Sequence, residues 1–274
     1  MEPLFKKYGP YALITGASSG IGKCYAHTLA DHGFNLILTS RKIKNLNALS
    51  IDLQHKFDIH ALAIQADLSL EKGVKLLMQT IDKLEIHIGL LINNAGDGMA
   101  GSFFNNDIEK EKTMLQLNVL SPLELTHHYG NKMMKKGKGA IIWIGSSLGI
   151  QGAPYLANYA ATKAYGEIFC MSLQQELKGK NIDVQVVAPG AVNTAVKNRN
   201  GVNYDKLPLL WMEPEEVVHT SFNKLGKKTL VIPGIHNKAM ALLGKNLVFR
   251  EYYLSLLSKF AWRALGVDEI ERIP

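Results

Sequence analysis

The 274 residues carry 47% hydrophobic and 20% charged side chains, an ordinary balance for a globular protein with a large core. A formal net charge of +7 suits an anionic cofactor or an anionic surface, but the basic residues are scattered and no nucleic-acid-binding motif is present, which argues against nucleic acid as a partner. Cys24 and Cys170 stand apart without metal-ligand spacing, and residues 1–10 hold no apolar run of the signal-peptide kind; no metal, reduced thiols and a cytoplasmic setting are expected.

The first expected strand is Tyr11-Ala12-Leu13-Ile14. It leads into Thr15-Gly16-Ala17-Ser18-Ser19-Gly20-Ile21-Gly22 and then a helical pattern over residues 23–32 that stops at Gly33. Strand, glycine-rich turn and helix form the setting that binds a dinucleotide. Gly16 allows the sharp turn, Gly20 lets the backbone approach a pyrophosphate, and Gly22 lets the helix pack close to the strand. The helix start offers free N–H groups and partial positive charge to phosphates. Ser18, Ser19 and Ile21 belong to the same cofactor-binding turn.

The second strand, residues 34–39, ends at Ser40-Arg41-Lys42. An acid at this point would accept from the ribose 2′-hydroxyl of NAD and repel a 2′-phosphate; a hydroxyl and a guanidinium would bind the phosphate instead. NADP(H) is therefore favoured, with Ser40 and Arg41 as its contacts, and NAD(H) stays open. A helix over 43–57 and a strand over 59–64 follow, ending at Asp67-Leu68. Asp67 is placed to accept from the adenine amino group, to cap the next helix, read over 71–87, or to do both. The fourth strand, 88–92, ends in Asn93-Asn94-Ala95-Gly96, small residues and amides suited to a wall against the cofactor.

A helix over 109–120 carries Asn118 among apolar neighbours, and a buried asparagine needs partners. His127 and His128 are adjacent, so they point to different sides of a helix and cannot chelate a metal as a pair. The fifth strand, 140–144, brings Ser146 to a strand's carboxyl end, where open α/β sheets bind ligands. Thirteen residues on comes Tyr159-x-x-x-Lys163, in a helix expected to run to about residue 178. Residues four apart on a helix share a face, so a phenol and an ammonium would occupy one pocket. A free tyrosine, with a pKa of about 10, is a poor acid–base group near neutrality. A neighbouring cation favours the phenolate and brings the group toward the working range, where it can protonate a carbonyl oxygen or deprotonate an alcohol.

The sixth strand, 182–187, ends at Ala188-Pro189-Gly190-Ala191-Val192-Asn193-Thr194, where a Pro-Gly turn and the Thr194 hydroxyl can meet a carboxamide. Residues 198–213 are apolar and irregular, with Leu207-Pro208-Leu209-Leu210-Trp211-Met212, and read as a lid over a hydrophobic substrate. Glu213-Pro214-Glu215-Glu216 opens a further helix, and Thr229-Leu230-Val231-Ile232 is the last strand. In the tail, Phe249, Tyr253, Leu256, Leu257 and Phe260 fall at helical spacing among Lys238, Lys245, Arg250, Lys259 and Arg263. No uncharged span reaches ~18 residues, so the tail is no transmembrane helix. An oligomer interface is the first reading for it; a cover over the cleft and a peripheral membrane contact stay open.

Taken together, Thr15-Gly-x-x-x-Gly20-x-Gly22, Asn93-Asn94-Ala95-Gly96, Asn118, Ser146, Tyr159-x-x-x-Lys163 and Pro189-Gly190 resemble the short-chain dehydrogenase/reductase family, over about residues 9–235. The tail resembles that of a subgroup with an extended C-terminus. The resemblance implies a single Rossmann-like, doubly wound α/β domain with about seven parallel strands, residues 9–235 as core and 236–274 as a helical extension. It implies an oxidoreductase interconverting a carbonyl and an alcohol, commonly as a homodimer or homotetramer. It also implies that Ser146 holds the substrate oxygen, Tyr159 transfers the proton, Lys163 binds the nicotinamide ribose and Asn118 supports a relay water. Val192 and Thr194 would meet the nicotinamide carboxamide. Ser19 departs from the pattern, since many NADP-preferring members have a basic residue there; phosphate recognition then rests on Arg41 and its neighbour Lys42.

Overall fold

The computed structural model describes residues 4–194, 209–242 and 250–265. Seven strands form one sheet in the order β3-β2-β1-β4-β5-β6-β7, and every pairing is parallel. They are β1 (Tyr11–Thr15), β2 (Asn35–Ser40), β3 (Ala61–Gln65), β4 (Ile88–Asn93), β5 (Gly139–Ile144), β6 (Ile182–Val187) and β7 (Leu230–Val231). Helix α1 (Leu4–Tyr8) precedes the sheet, and α2 (Gly20–Asp31), α3 (Ile43–Lys56), α4 (Glu71–Asp82), α5 (Ile108–Leu115) and α6 (Ser121–Lys136) connect its first strands. Then come α7 (Ser147–Gln151), α8 (Ala157–Glu176), α9 (Pro214–Lys224), α10 (Ile235–Leu242) and α11 (Arg250–Leu265).

Parallel strands need crossovers, and the helices cover both faces, which is why β4 and β5 are buried along their whole length. The alternation shows along β1. Ala12 and Ile14 join a core with Tyr25, Leu29 and Leu46 from α2 and α3. Leu13 between them points the other way, to Val74, Leu77 and Tyr129 from α4 and α6. The chain reverses its direction of progress across the sheet between β1 and β4, so a crevice opens at their carboxyl ends.

The expected strands and most helices are present, with several corrections. The third strand begins at Ala61 rather than at residue 59. Helix α4 ends at Asp82, not at residue 87, and Glu85 takes a left-handed φ of 54°; a helix to residue 87 would leave nothing to turn into β4 at Ile88. Asp67 does not cap α4, whose N-cap is Leu70 with no side-chain bond. Its carboxylate instead accepts from the backbone N–H and the hydroxyl of Ser69, closing a local turn. The helix read over 109–120 is α5 followed by a π-helical turn, Gln116–Leu120, that holds Asn118. The lid reading falls mostly on residues outside the described ones, and so do Phe249, Lys245 and the side chains of Arg250, Tyr253, Phe260 and Arg263. No helix of the described residues is long and apolar enough to cross a membrane.

Candidate active site

The glycine-rich turn joins β1 to α2. Gly16 and Gly20 hold φ values of 66° and 55°, where a side chain would be strained. A Cβ on Gly22 would lie 2.5 Å from Asn94 Nδ2 and 2.5 Å from the Gly16 carbonyl oxygen, so only glycine allows α2 to sit this close. The turn is knotted to the end of β4. The Thr15 hydroxyl accepts from the backbone N–H groups of Asn94 and Ala95, each at 2.9 Å, and Asn94 Nδ2 donates to the Thr15 carbonyl at 2.8 Å. Asn94 is thus a cross-link between two loops, and Thr15 is its hub. Ser19 is the N-cap of α2 and makes no side-chain cap bond, so the first N–H groups face the crevice without an internal acceptor. Free N–H groups, bare glycine backbone and a crevice at the reversal point fit a dinucleotide pyrophosphate.

At the neighbouring strand end, Ser40 Oγ accepts from the Lys42 backbone N–H at 3.2 Å. Arg41 is exposed. Its carbonyl accepts from Gln65 Nε2 at 3.0 Å, which fixes the turn while leaving the guanidinium toward solvent. Leu68, in the loop after β3, is buried and accepts from the Ser121 hydroxyl through its carbonyl.

The central residues converge beyond β4 and β5. Lys163 is 6% exposed, its amine donates to the Ile144 carbonyl at 3.0 Å, and it sits 5.6 Å from the Tyr159 ring centroid. Burial pushes its pKa down to about 8, because an ammonium loses hydration there. Asn118, 1% exposed, bonds the Asp97 backbone in both directions, accepting at 3.0 Å and donating at 2.8 Å. It also donates to the Thr162 hydroxyl, which donates in turn to the Tyr159 carbonyl. A Cβ on Gly96 would lie 3.2 Å from Asn118 Oδ1 and 3.3 Å from Lys163 Nζ, and one on Gly98 would lie 3.2 Å from the Tyr159 ring. The strand-β4 loop therefore passes directly over all three side chains. Ser146 caps α7, its hydroxyl accepting from the Leu148 N–H at 3.2 Å. Helix α7 packs on α8 so tightly that a Cβ on Gly149 would meet the Lys163 carbonyl carbon at 2.7 Å.

The loop after β6 closes the site. The Pro189 carbonyl accepts from the Ser147 N–H at 2.8 Å. Val192 bridges to Met212, and the Thr194 methyl would lie 2.9 Å from a Cβ on Gly20, which places the two loops across one mouth. Gly190 abuts buried Asn237 of α10, whose amide donates to the Pro233 carbonyl and to Met212 Sδ. Asp97, Thr162 and Asn237 carry no sequence signal of their own. Thr162 lies inside the Tyr-x-x-x-Lys spacing, and that position was its only hint.

A doubly wound sheet with a phosphate-ready turn beside a tyrosine and its buried lysine neighbour defines a dinucleotide-binding α/β protein. The short chain dehydrogenase family model matches residues 10–204, and the chain belongs to the short-chain dehydrogenase/reductase family. It is an oxidoreductase, and like the family it binds a nicotinamide dinucleotide. A very-long-chain 3-oxoacyl-CoA reductase-like protein of Arabidopsis thaliana is 34% identical over 226 residues, 81% of this chain and 72% of that one. A solved 7beta-hydroxysteroid dehydrogenase superposes with a TM-score of 0.86 at 26% identity, covering 93% of this chain and 99% of that one. A short-chain dehydrogenase from Sphingobium yanoikuyae, solved in complex with NADPH, gives 0.78 at 32% identity, covering 90% and 96%.

Proposed function

We propose that this enzyme uses NADP(H) to interconvert a ketone or aldehyde and an alcohol on an apolar small molecule, with Asn118, Ser146, Tyr159 and Lys163 as its catalytic residues. The observation that carries the reading is the buried Lys163 amine, held by the Ile144 carbonyl beside the Tyr159 ring. When bound, the nicotinamide supplies or accepts the hydride. Tyr159 gives its hydroxyl proton to the oxygen of the reduced carbonyl, or takes one from an alcohol. Ser146 donates to the same oxygen as charge develops on it. Lys163 lends positive charge to the phenol and holds the nicotinamide ribose. Asn118 keeps the π-helical turn against the tyrosine-bearing helix and supports the relay water.

The turn Gly16–Gly22, with Ser18, Ser19 and Ile21, takes the pyrophosphate; Asp67 and Leu68 take the adenine, and Asn94, Ala95 and Gly96 the adjoining wall. Pro189, Gly190, Val192 and Thr194 take the carboxamide. Ser40 and exposed Arg41 favour a 2′-phosphate, and the NADPH complex of the Sphingobium relative agrees. An apolar substrate is supported by the steroid and very-long-chain acyl substrates in the names of the relatives, and by exposed Phe103 and Phe104 on the loop that crosses Tyr159. A homodimer or homotetramer is supported by Tyr165, Ile168 and Met171, exposed on one face of α8. Sedimentation with lipid vesicles tests the remaining reading of the tail as a peripheral membrane contact.

The test is the loss of NADPH absorbance with a panel of ketones and aldehydes. Tyr159→Phe is expected to abolish turnover while nucleotide affinity stays within about twofold. Unchanged kcat in the variant removes the tyrosine from the mechanism, and binding without turnover of any carbonyl favours a dinucleotide sensor.

A further inference from the structure

Between the Asp97 and Asn106 positions the chain crosses the face of Tyr159, and a buried carboxylate outside the four central residues holds the far end of that crossing. Glu111 lies in α5 and is 3% exposed. Among the described residues no cation pairs with it. Its two carboxylate oxygens are divided between two amides from different elements. Oε1 accepts from Asn106 Nδ2 at 2.7 Å, and Oε2 accepts from Asn158 Nδ2 at 2.7 Å. Asn158 also donates to the Glu111 carbonyl at 3.3 Å. Asn106 ends the crossing loop, whereas Asn158 is the residue before Tyr159 in the first turn of α8.

The loop has two further attachments to the same turn. The Gly101 N–H donates to the Tyr155 carbonyl at 2.9 Å. Asn106 reaches Glu111 by passing over Gly101, where a Cβ would lie 2.6 Å from Asn106 Oδ1 and where φ is 143°. At its near end the loop is fixed by the paired bonds of Asp97 and Asn118.

A buried carboxylate is costly unless its lone pairs are filled. What a carboxylate offers here, and a neutral amide does not, is an acceptor at both of its terminal atoms, one for each asparagine. A glutamine would present one acceptor and one donor, so one of the two asparagines would face a second donor. We infer that Glu111 is a positioning residue for the reaction: its carboxylate clamps the loop over Tyr159 to the turn that carries Tyr159, and so sets where substrate oxygen and phenol meet. This inference rests on the proposed role of Tyr159. A misplacement of about 1 Å at reacting atoms can lower turnover by about a hundredfold, while the nucleotide turn, on the other side of β4, is left alone.

Glu111→Gln is expected to lower kcat about tenfold, with the nucleotide Kd within about twofold of the parent and a cooperative melt retained. The double variant Glu111→Gln/Asn106→Asp gives the glutamine amide a carboxylate acceptor at position 106 and leaves its oxygen for Asn158, and kcat is expected to return to within about threefold of the parent. The inference is overturned by a kcat within about twofold of the parent in Glu111→Gln, by an equal loss of kcat and nucleotide affinity, or by a double variant that recovers nothing. If Glu111→Gln fails to fold, Asn106→Ala, which cuts only the loop side of the clamp, is expected to lower kcat alone, and an unchanged kcat there overturns it. Tyr159→Phe assayed in parallel separates the two readings. Turnover surviving that substitution defeats the role of Tyr159; turnover lost there but intact in Glu111→Gln defeats only the clamp.

Discussion

Lys163 is a buried amine held at a cost in stability. Its pKa falls from an ordinary 10.5 to about 8 because burial disfavours the charged form. The unfolded chain then binds more protons than the native one between those two values, so stability rises with pH across that window. Below about pH 8 the full penalty of the buried ammonium is present. Lys163→Met is therefore expected to stabilise the nucleotide-free protein at pH 7 by on the order of 3 kcal/mol, a gain that shrinks toward pH 10.5 while turnover is lost. Denaturant unfolding at several pH values measures this, and a gain that grows with pH would contradict it. Arg41 acts at the same scale but on the surface. Arg41→Ala is expected to weaken NADPH by about tenfold or more and NADH by less than about twofold, read by fluorescence titration. Equal effects on the two nucleotides would remove Arg41 as the phosphate contact.

Between elements, the decisive contact is that of α7 with α8, because Ser146 caps one while Tyr159 and Lys163 ride on the other. Gly149 makes this approach possible: a side chain there would meet backbone atoms of Lys163 and Ala164 at 2.7 and 2.8 Å, and backbone does not yield as a flexible side chain does. Gly149→Ala is expected to cost about 1–3 kcal/mol of stability. It is also expected to lower kcat through displacement of Ser146, with nucleotide affinity nearly intact. Thermal melts and steady-state kinetics test the two halves separately, and a fully active, fully stable variant would show that α7 has room to move.

Across the whole molecule, the nucleotide crevice is assembled from the ends of strands far apart in the chain, at the reversal between β1 and β4. A ligand there binds only the folded sheet. Saturating NADPH at about 100 times its Kd is expected to add about 2.7 kcal/mol to stability and to raise Tm by about 5 °C. NADH at the same concentration should give a smaller shift, and no shift with either nucleotide would argue against the crevice as the binding site. The C-terminal elements belong to the same assembly. Asn237 of α10 props Gly190, and Leu254 of α11 lies 3.6 Å from where a Cβ on Gly152 would sit, beside the tyrosine-bearing helix.

Local chemistry was legible in the chain itself. Glycines at positions 16, 20 and 22, apolar runs of strand length, and the Tyr-x-x-x-Lys spacing all act over a few residues, where backbone freedom and helix pitch decide the outcome without help from the rest of the molecule. Only tertiary structure could supply what depends on packing. It ruled out the capping role for Asp67 and put its carboxylate in a local turn, and made Asn94 a strut between loops. It placed Asn118 in a π-helical turn bonded to Asp97 and Thr162, and brought Glu111 between two asparagines 52 positions apart in the chain. The hydration that a buried amine or carboxylate loses, and the partners that replace it, come from elements distant in sequence, and no local pattern of residues records them.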